Sequence, residues 1–231
     1  MDRHYRDYIV NPTFPQLAAA AALHPDFPPN LSYRPLLTKQ ASPGVSGNIG
    51  EALGGMIGSE VFDLPPRDIV HIIPIRGHIK APDFIFHFAP VPVEASNFLL
   101  ARGVPVAVLN AAAKWWPAEA KARKNGQART AFKEAFGQLL AYWWELLEAG
   151  AALEDVGFGI IMIAEYQLAI PKLTVHFLIP KNPRLVQRYI RMLRATHPDR
   201  RRLGAYIRRF SARGTGGPRL ARTLRLFHGQ A

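Results

Sequence analysis

The chain has 231 residues, of which 48% are apolar and none is cysteine, and it carries a net charge of +12. This length and composition predict one main domain with a large apolar core, and the lack of cysteine excludes disulfides and thiolate metal sites. Because no apolar run reaches the ~20 residues that span a bilayer and the N-terminal sequence lacks a signal-peptide core, we expect a cytoplasmic protein with no membrane partner.

The positive charge is concentrated in the C-terminal part of the sequence. Residues 181–231 contain 14 of the 29 Lys and Arg residues but only one of the 17 acidic residues, Asp199. Thirteen of those 14 bases are arginine, whose planar guanidinium makes two-pronged contacts with phosphate. A basic segment of this kind indicates a polyanionic partner, most often nucleic acid. A basic solubilising surface is the alternative explanation.

The first predicted elements are an N-terminal extension and a glycine-rich helix. Residues 1–46 are rich in Pro and Ala and predict a short helix over 17–23. Residues 47–62 predict a longer helix in which Gly50, Gly54 and Gly58 recur every four residues. One side of this helix therefore lacks side chains, so it can pack closely against another element and offset the glycine cost of about 1 kcal/mol each.

The rest of the chain predicts strands, one long amphipathic helix and then basic helices. Strands are predicted over 68–77, 78–88, 104–109, 115–123, 156–166 and 172–180. Helices are predicted over 93–103, 128–150, 183–195 and 198–211, and a GTGG hinge at 214–217 precedes a last short basic segment. This order predicts an α/β domain with a central mixed sheet flanked by helices.

Four charged residues lie inside apolar segments and are the chemical signal of the sequence. Glu51 lies in the glycine-rich helix, Asp83 in a predicted strand, and Glu119 and Lys121 two apart in the strand 115–123. Side chains at i and i+2 share one face of a strand, and here alanines fill the other face. Three converging carboxylates repel each other unless one holds a proton or a divalent cation binds. Oxygen ligands without Cys or clustered His favour Mg²⁺ or Mn²⁺.

These residues match a family pattern in order and spacing. Pro82-Asp83 followed by Glu119-Ala120-Lys121, with Glu51 on the preceding helix, resembles the motif of the PD-(D/E)XK nuclease superfamily. Gln138 and Tyr142 lie four apart on the following helix and resemble the Q-x-x-x-Y motif of its RecB-like branch. The resemblance covers residues 47–180. It implies a restriction-endonuclease-like core over 47–180, between an extension over 1–46 and a basic helical C-terminal segment over 181–231.

The resemblance also implies a site and a reaction. It makes Asp83, Glu119 and the carbonyl of Ala120 ligands of a Mg²⁺ (or Mn²⁺) ion, and Glu51 a ligand of a second ion or of its water. It makes Lys121 the residue that holds the attacking water, and Gln138 and Tyr142 the residues that orient substrate or Lys121. A metal-activated water would then hydrolyse phosphodiester bonds, in DNA in preference to RNA.

The basic helices are expected to hold the nucleic-acid backbone without reading its sequence. The arginines predicted to do this are Arg184, Arg188, Arg191, Arg194, Arg201, Arg202, Arg208 and Arg209. A homodimer is a further possibility, because many nucleases that cut both strands act as dimers.

Simpler explanations exist for each residue. Glu119 and Lys121 can form a surface ion pair worth about 0–1 kcal/mol, and Asp83 can be a turn residue after proline. A catalytically inactive nuclease-fold module that binds nucleic acid, an RNA-directed nuclease, and a structural protein that uses its arginine helices to hold RNA or an acidic partner are the alternative functions.

Overall fold

The structure is a computed structural model that describes residues 50, 54–65, 68–71, 82–88, 90–110, 115–123, 127–148, 156–165, 172–211 and 217–228. Predictions for the N-terminal extension over 1–46, its helix over 17–23, Glu51 and most of the GTGG hinge fall outside these residues. None of the helices in the described ranges combines the length and hydropathy of a membrane span.

The described residues form six strands interspersed with helices. The strands are β1 (Ile69–His71), β2 (Phe84–His87), β3 (Trp115–Arg123), β4 (Gly159–Glu165), β5 (Lys172–Pro180) and β6 (Phe227–His228). The helices are α1 (Val93–Ala101), α2 (Val106–Asn110), α3 (Ala128–Glu148), α4 (Pro183–Thr196), α5 (Arg200–Ser211) and α6 (Gly217–Leu224). A glycine-rich helix over 54–61 precedes β1 and ends in a π-helical turn, Ile57–Val61.

The strands form one mixed sheet in the order β1-β2-β3-β4-β5, and the short β6 pairs with the end of β5. Neighbours are antiparallel except β3 and β4, which are parallel. A parallel pair needs a long crossover, and α3 supplies it and packs on both strands. The predicted α/β class with a mixed sheet flanked by helices is thereby confirmed.

The alternation in β3 divides the core into two layers. Trp116, Ala118 and Ala120 face the first layer together with Phe84 and Phe86, their partners or near partners on β2. The glycine-rich helix packs on this layer. A Cβ at Gly54 would lie within 3.0 Å of the Phe84 ring, and one at Gly58 would meet Ile69 and Phe86. The predicted close approach of the helix is confirmed.

The second layer lies between the other face of the sheet and α3. Trp143 of α3 stacks on Phe227 of β6 with ring centroids 5.8 Å apart and an interplanar angle of 21°. Residues of α4, α5 and α6 are buried in the same layer, among them Val186, Ile190 and Leu203. The basic C-terminal helices therefore share a hydrophobic core with α3 and return the chain to the sheet.

Most predicted element types are confirmed. The strand 115–123, the helix starting at residue 128 and the strand 172–180 match the observed bounds, while the helix 47–62 is observed only in part because some of its residues fall outside the described ranges. The strand predicted over 104–109 is wrong, because residues Val106–Asn110 form α2. Pro105 starts this helix: its carbonyl accepts the N–H groups of Val108 and Leu109.

Candidate active site

The predicted carboxylates meet where the β2–β3 ladder ends. The last paired residues are Phe84 and Ala118, so the register places Asp83 opposite Glu119. Side chains take over the hydrogen bonding at this point. The Asp83 N–H donates to Glu119 Oε2 over 3.1 Å, and the Ala120 N–H donates to Asp83 Oδ2 over 3.0 Å. Each carboxylate thus accepts a backbone N–H from the opposite strand, which fixes both side chains.

Glu119 and Lys121 project from the same face of β3, as the spacing predicts. Lys121 Nζ donates to Glu119 Oε1, so both carboxylate oxygens of Glu119 accept a hydrogen bond. The Glu119 side chain is completely buried and the Lys121 side chain is 15% exposed. The explanation of this pair as a surface ion pair is therefore wrong, because neither partner lies free in solvent.

Burial dominates the electrostatics of this group. Burial, together with the nearby Asp83 carboxylate, raises the pKa of Glu119 to about 8, against the opposing effects of Lys121 and of the Asp83 N–H. Burial alone would lower the pKa of Lys121, but the attraction of Glu119 and Asp83 outweighs it, so this pKa is raised. Lys121 is therefore cationic at neutral pH, and Glu119 holds its proton more tightly than an exposed carboxyl group.

The Ala120 carbonyl lies on the same side of β3 as Asp83. The N–H of Ala120 points toward Asp83, and the N–H and C=O of one strand residue point the same way. A Cβ added to Gly50 would lie 3.0 Å from the Ala120 carbonyl oxygen, so the glycine-rich segment touches β3 at this residue. The next residue in the chain is Glu51, which lies outside the described residues. Within the described ranges, no three Asp, Glu or His side chains come together as a metal-ligand group.

Helix α3 covers the face of β3 that carries Glu119 and Lys121. Arg123 pairs with Glu134 of α3, which ties the end of β3 to this helix. Gln138 and Tyr142 follow Glu134 at intervals of four and share its helix face. Gln138 is buried, and Tyr142 packs partly buried against the second core layer. Both residues therefore share the helix face of Glu134, which contacts Arg123 at the end of β3.

The Arg123–Glu134 pair is the feature of this site that the sequence-based prediction missed. Arg123 follows Lys121 at the same period of two that links Glu119 to Lys121, and Glu134 precedes Gln138 by one helical turn. Extending both periodicities by one step would have identified the pair.

No protein-family model, curated protein or solved structure matches this chain. Its function is therefore inferred from its own residues and their geometry.

The eight predicted phosphate-binding arginines fall into three groups. Arg194 donates to the Leu147 carbonyl over 3.0 Å and lies 5.9 Å from the centre of the Trp144 ring, so it anchors α4 to α3. A cleft of about 1120 Å³ between α4, α5 and α6 is lined by Arg188, Arg202 and Arg209. The third group is exposed and lies outside this cleft, and it comprises Arg184, Arg191, Arg201 and Arg208. Arg222, which the sequence-based prediction did not single out, also lines the cleft.

Proposed function

We propose that this chain is a metal-dependent nuclease with a restriction-endonuclease-like core that hydrolyses phosphodiester bonds, in DNA by preference. The observation that carries the proposal is the meeting of Asp83 with Glu119, 36 residues later in the sequence, and with Lys121 at one end of the β2–β3 ladder. Two carboxylates fixed by backbone hydrogen bonds, with one cation held by Glu119, form the set of groups that a metal-assisted hydrolase requires.

The residues fit a hard divalent cation. Asp83 and Glu119 supply carboxylate oxygens and Ala120 supplies a carbonyl oxygen on the same side, and these are the ligand types of Mg²⁺ and Mn²⁺. The raised pKa of Glu119 supports this fit, because a buried carboxylate beside a second carboxylate is a group that a cation would stabilise in its ionised form. Gly50 touches Ala120, which supports keeping the adjacent Glu51 as the proposed third acidic ligand.

The chain's own groups have separable tasks in this proposal. A bound Mg²⁺ ion supplies an activated water and screens the charge of the scissile phosphate. Asp83 and Glu119 hold that ion, and their backbone partners keep them in place. Lys121 is cationic and held at Glu119, so it orients the attacking water and stabilises negative charge that develops on the phosphate. Helix α3 covers Glu119 and excludes bulk water, and Gln138 and Tyr142 orient the substrate or Lys121.

A second candidate is a nucleic-acid-binding module whose nuclease site is inactive. It is favoured by the direct Lys121–Glu119 contact, since Lys121 already occupies one oxygen of the buried Glu119 carboxyl group without any metal. In that case the three residues only fasten the end of β2 to β3, and the basic helices alone carry the function.

Cleavage assays separate the two candidates. Purified protein would be incubated with linear, circular and single-stranded DNA and with RNA, in Mg²⁺, Mn²⁺ or EDTA. We expect cleavage with either metal and none in EDTA, and we expect Lys121→Ala or Asp83→Ala to lower the rate about 100-fold or more. Lys172→Ala removes an exposed lysine from β5 and serves as the matched control.

Circular dichroism would verify that each variant is folded. Cleavage by Lys121→Ala at the wild-type rate would contradict the site, and metal-dependent binding without cleavage of any substrate would support the inactive module. Preferential cleavage of RNA would support the proposed active site but show that RNA, rather than DNA, is the preferred substrate.

A further inference from the structure

The cleft between α4, α5 and α6, hereafter the arginine cleft, has the charge of an anion-binding site. Its cationic lining comprises Arg188 of α4, Arg202 and Arg209 of α5, and Arg222 of α6. Its described lining residues include no Asp or Glu. Asp199 is the single acidic residue of 181–231 and contacts Arg202 over 3.3 Å with both side chains exposed. An exposed pair of this kind contributes little, so the cleft keeps its positive character.

Ordered aromatic rings line the same cleft. The hydroxyl groups of Tyr189 and Tyr206 lie 3.3 Å apart, and Thr223 Oγ1 donates to the Tyr189 hydroxyl over 3.3 Å. The His197 ring packs on the Tyr206 ring with centroids 4.7 Å apart and an interplanar angle of 34°. These contacts join residues of α4, α5 and α6, so the rings are held in place before any ligand arrives.

Helix α4 exposes apolar side chains at the rim of the arginine cleft. Leu185 is 50% exposed and Met192 is 55% exposed, and both line the cleft. They lie seven residues apart and so share a helix face with Arg188 and Tyr189. Val186, Ile190 and Leu193 are buried on the other side of the helix against α3. The helix therefore presents a second apolar face, mixed with arginine, that the described part of the chain leaves open.

We propose that the arginine cleft binds single-stranded nucleic acid. The planar guanidinium groups of the arginines can make two-pronged contacts with phosphates, and aromatic and apolar side chains can pack against the faces of unpaired bases. A duplex satisfies only the first requirement, because its bases are stacked on each other and their faces are not accessible. The charge alone would accept any polyanion, whereas the combination of four arginines, fixed tyrosines and exposed Leu185 and Met192 selects a strand with free bases.

This inference deepens the proposed function by naming an unpaired strand as the bound form, but it does not require cleavage. Binding would be measured in EDTA by fluorescence anisotropy of a labelled single-stranded oligonucleotide, with a duplex containing the same number of phosphates as competitor. If the nuclease proposal is wrong, the protein will bind the oligonucleotide but not cleave it in Mg²⁺. If the cleft proposal is wrong, the binding measurements in EDTA will not show the expected preference or the expected losses.

Two pairs of variants with equal charge loss test the location. Arg188→Ala and Arg191→Ala remove one charge each from α4, and Arg209→Ala and Arg208→Ala remove one each from α5. Of these four arginines, only Arg188 and Arg209 line the cleft. We expect the two cleft variants to weaken binding about fivefold or more and to reduce the salt slope by about 0.7 for each lost phosphate contact. The two control arginines are among those predicted from the sequence to contact phosphate but lie outside the cleft, so their loss should weaken binding only through the general charge attraction, by about twofold.

A tyrosine series tests the role of the rings. Tyr206→Phe keeps the ring and should bind within about twofold of the wild type, whereas Tyr206→Leu should lose about fivefold or more if a base stacks there. Equal losses in cleft and control arginine variants, unchanged binding by Tyr206→Leu, or equal competition by the duplex would each overturn the proposal. Weak binding of every probe, in the range of simple charge attraction, would overturn it too.

Discussion

Binding of Mg²⁺ or Mn²⁺ at Asp83 and Glu119 should depend steeply on pH, because the cation must displace the proton that burial favours on Glu119. With a pKa of about 8, Glu119 is about 3% ionised near pH 6.5 and about three quarters ionised near pH 8.5. The apparent affinity for the metal should therefore rise about 25-fold between these pH values, equivalent to about 2 kcal/mol.

The same shift sets the stability of the metal-free protein. The folded-state pKa of Glu119 lies above the unfolded value of 4.5, so the contribution of this group to stability is complete below that value and is lost as the pH rises through about 8. Lys121 has a raised pKa and keeps its charge across this interval. The metal-free protein should thus lose stability progressively from about pH 4.5 to about pH 8, and added metal should restore it.

Thermal unfolding with and without metal measures both effects. At a metal concentration near 100 times the dissociation constant at pH 8.5, binding adds about 2.7 kcal/mol, or about 5–10 °C in Tm for a chain of this size. At pH 6.5 the same concentration should raise the Tm by only about 2–4 °C. The shift should vanish in Asp83→Asn and Glu119→Gln. It should persist in the control Asp68→Asn, which alters a carboxylate that contacts His87 in the same sheet.

A Tm shift that is equal in Asp83→Asn, Glu119→Gln and the wild type would refute the metal site. A shift that does not change with pH in the wild-type protein would refute the assignment of the raised pKa to the metal ligand. Either result can be read without any nuclease assay, so it separates metal binding from catalysis.

Three further predictions concern the packing that positions the site. Gly54→Ala should destabilise the protein by about 1–2 kcal/mol in chemical denaturation, because the added methyl group would press on the buried Phe84 ring. Gly204→Ala in α5 meets only ordinary contacts and should stabilise by about 0.5–1 kcal/mol, so a loss of stability there would contradict the description of that helix. Phe227→Ala should cost about 3–5 kcal/mol because its ring is buried against Trp143, whereas a neutral result would show that residues 217–228 do not belong to the core.

Local patterns predicted the central elements of the fold. The strand Trp115–Arg123 follows from strict alternation of alanine with other side chains, and Pro117 is tolerated there because β4 pairs with β3 only from Ala118 onward. Helix α3 follows from its apolar face. The segment 104–109 was mispredicted because a short apolar run fits a strand or a helix equally well. In the structure the Pro105 carbonyl accepts the N–H groups of Val108 and Leu109, which is a helical hydrogen-bond pattern.

Long-range contacts were not predictable from local sequence. Nothing near Phe227 indicates that its ring lies on Trp143, and a two-residue strand such as β6 has no periodicity to detect. The arginines show the same limit. Arg194 and Arg188 lie six apart on one helix, but only the packing of α4 on α3 shows that Arg194 is held at the Leu147 carbonyl and that Arg188 faces the cleft.

The candidate site was predictable in composition and only partly in geometry. The order of Asp83, Glu119 and Lys121 identified the carboxylates and the cation, and alternation in β3 predicted that Glu119 and Lys121 share a face. The reciprocal bonds of Asp83 and Glu119 depend on the register of β2 against β3, which pairs Phe84 with Ala118. Register is set by the packing of two strands in the first core layer, so it cannot be predicted from the sequence of either strand alone.

The pairing of β6 with β5 affects how the protein folds during synthesis. Ile179 pairs with His228, and Phe227 completes the layer over α3, so this layer stays open until about 50 further residues have left the ribosome after β5. At a synthesis rate of about 5–20 residues per second, several seconds pass before Phe227 of β6 can pack on the apolar face of α3. Translation pausing between β5 and β6 would prolong this exposure, and ribosome-bound chains stalled there should be captured by chaperones more readily than chains stalled after residue 228.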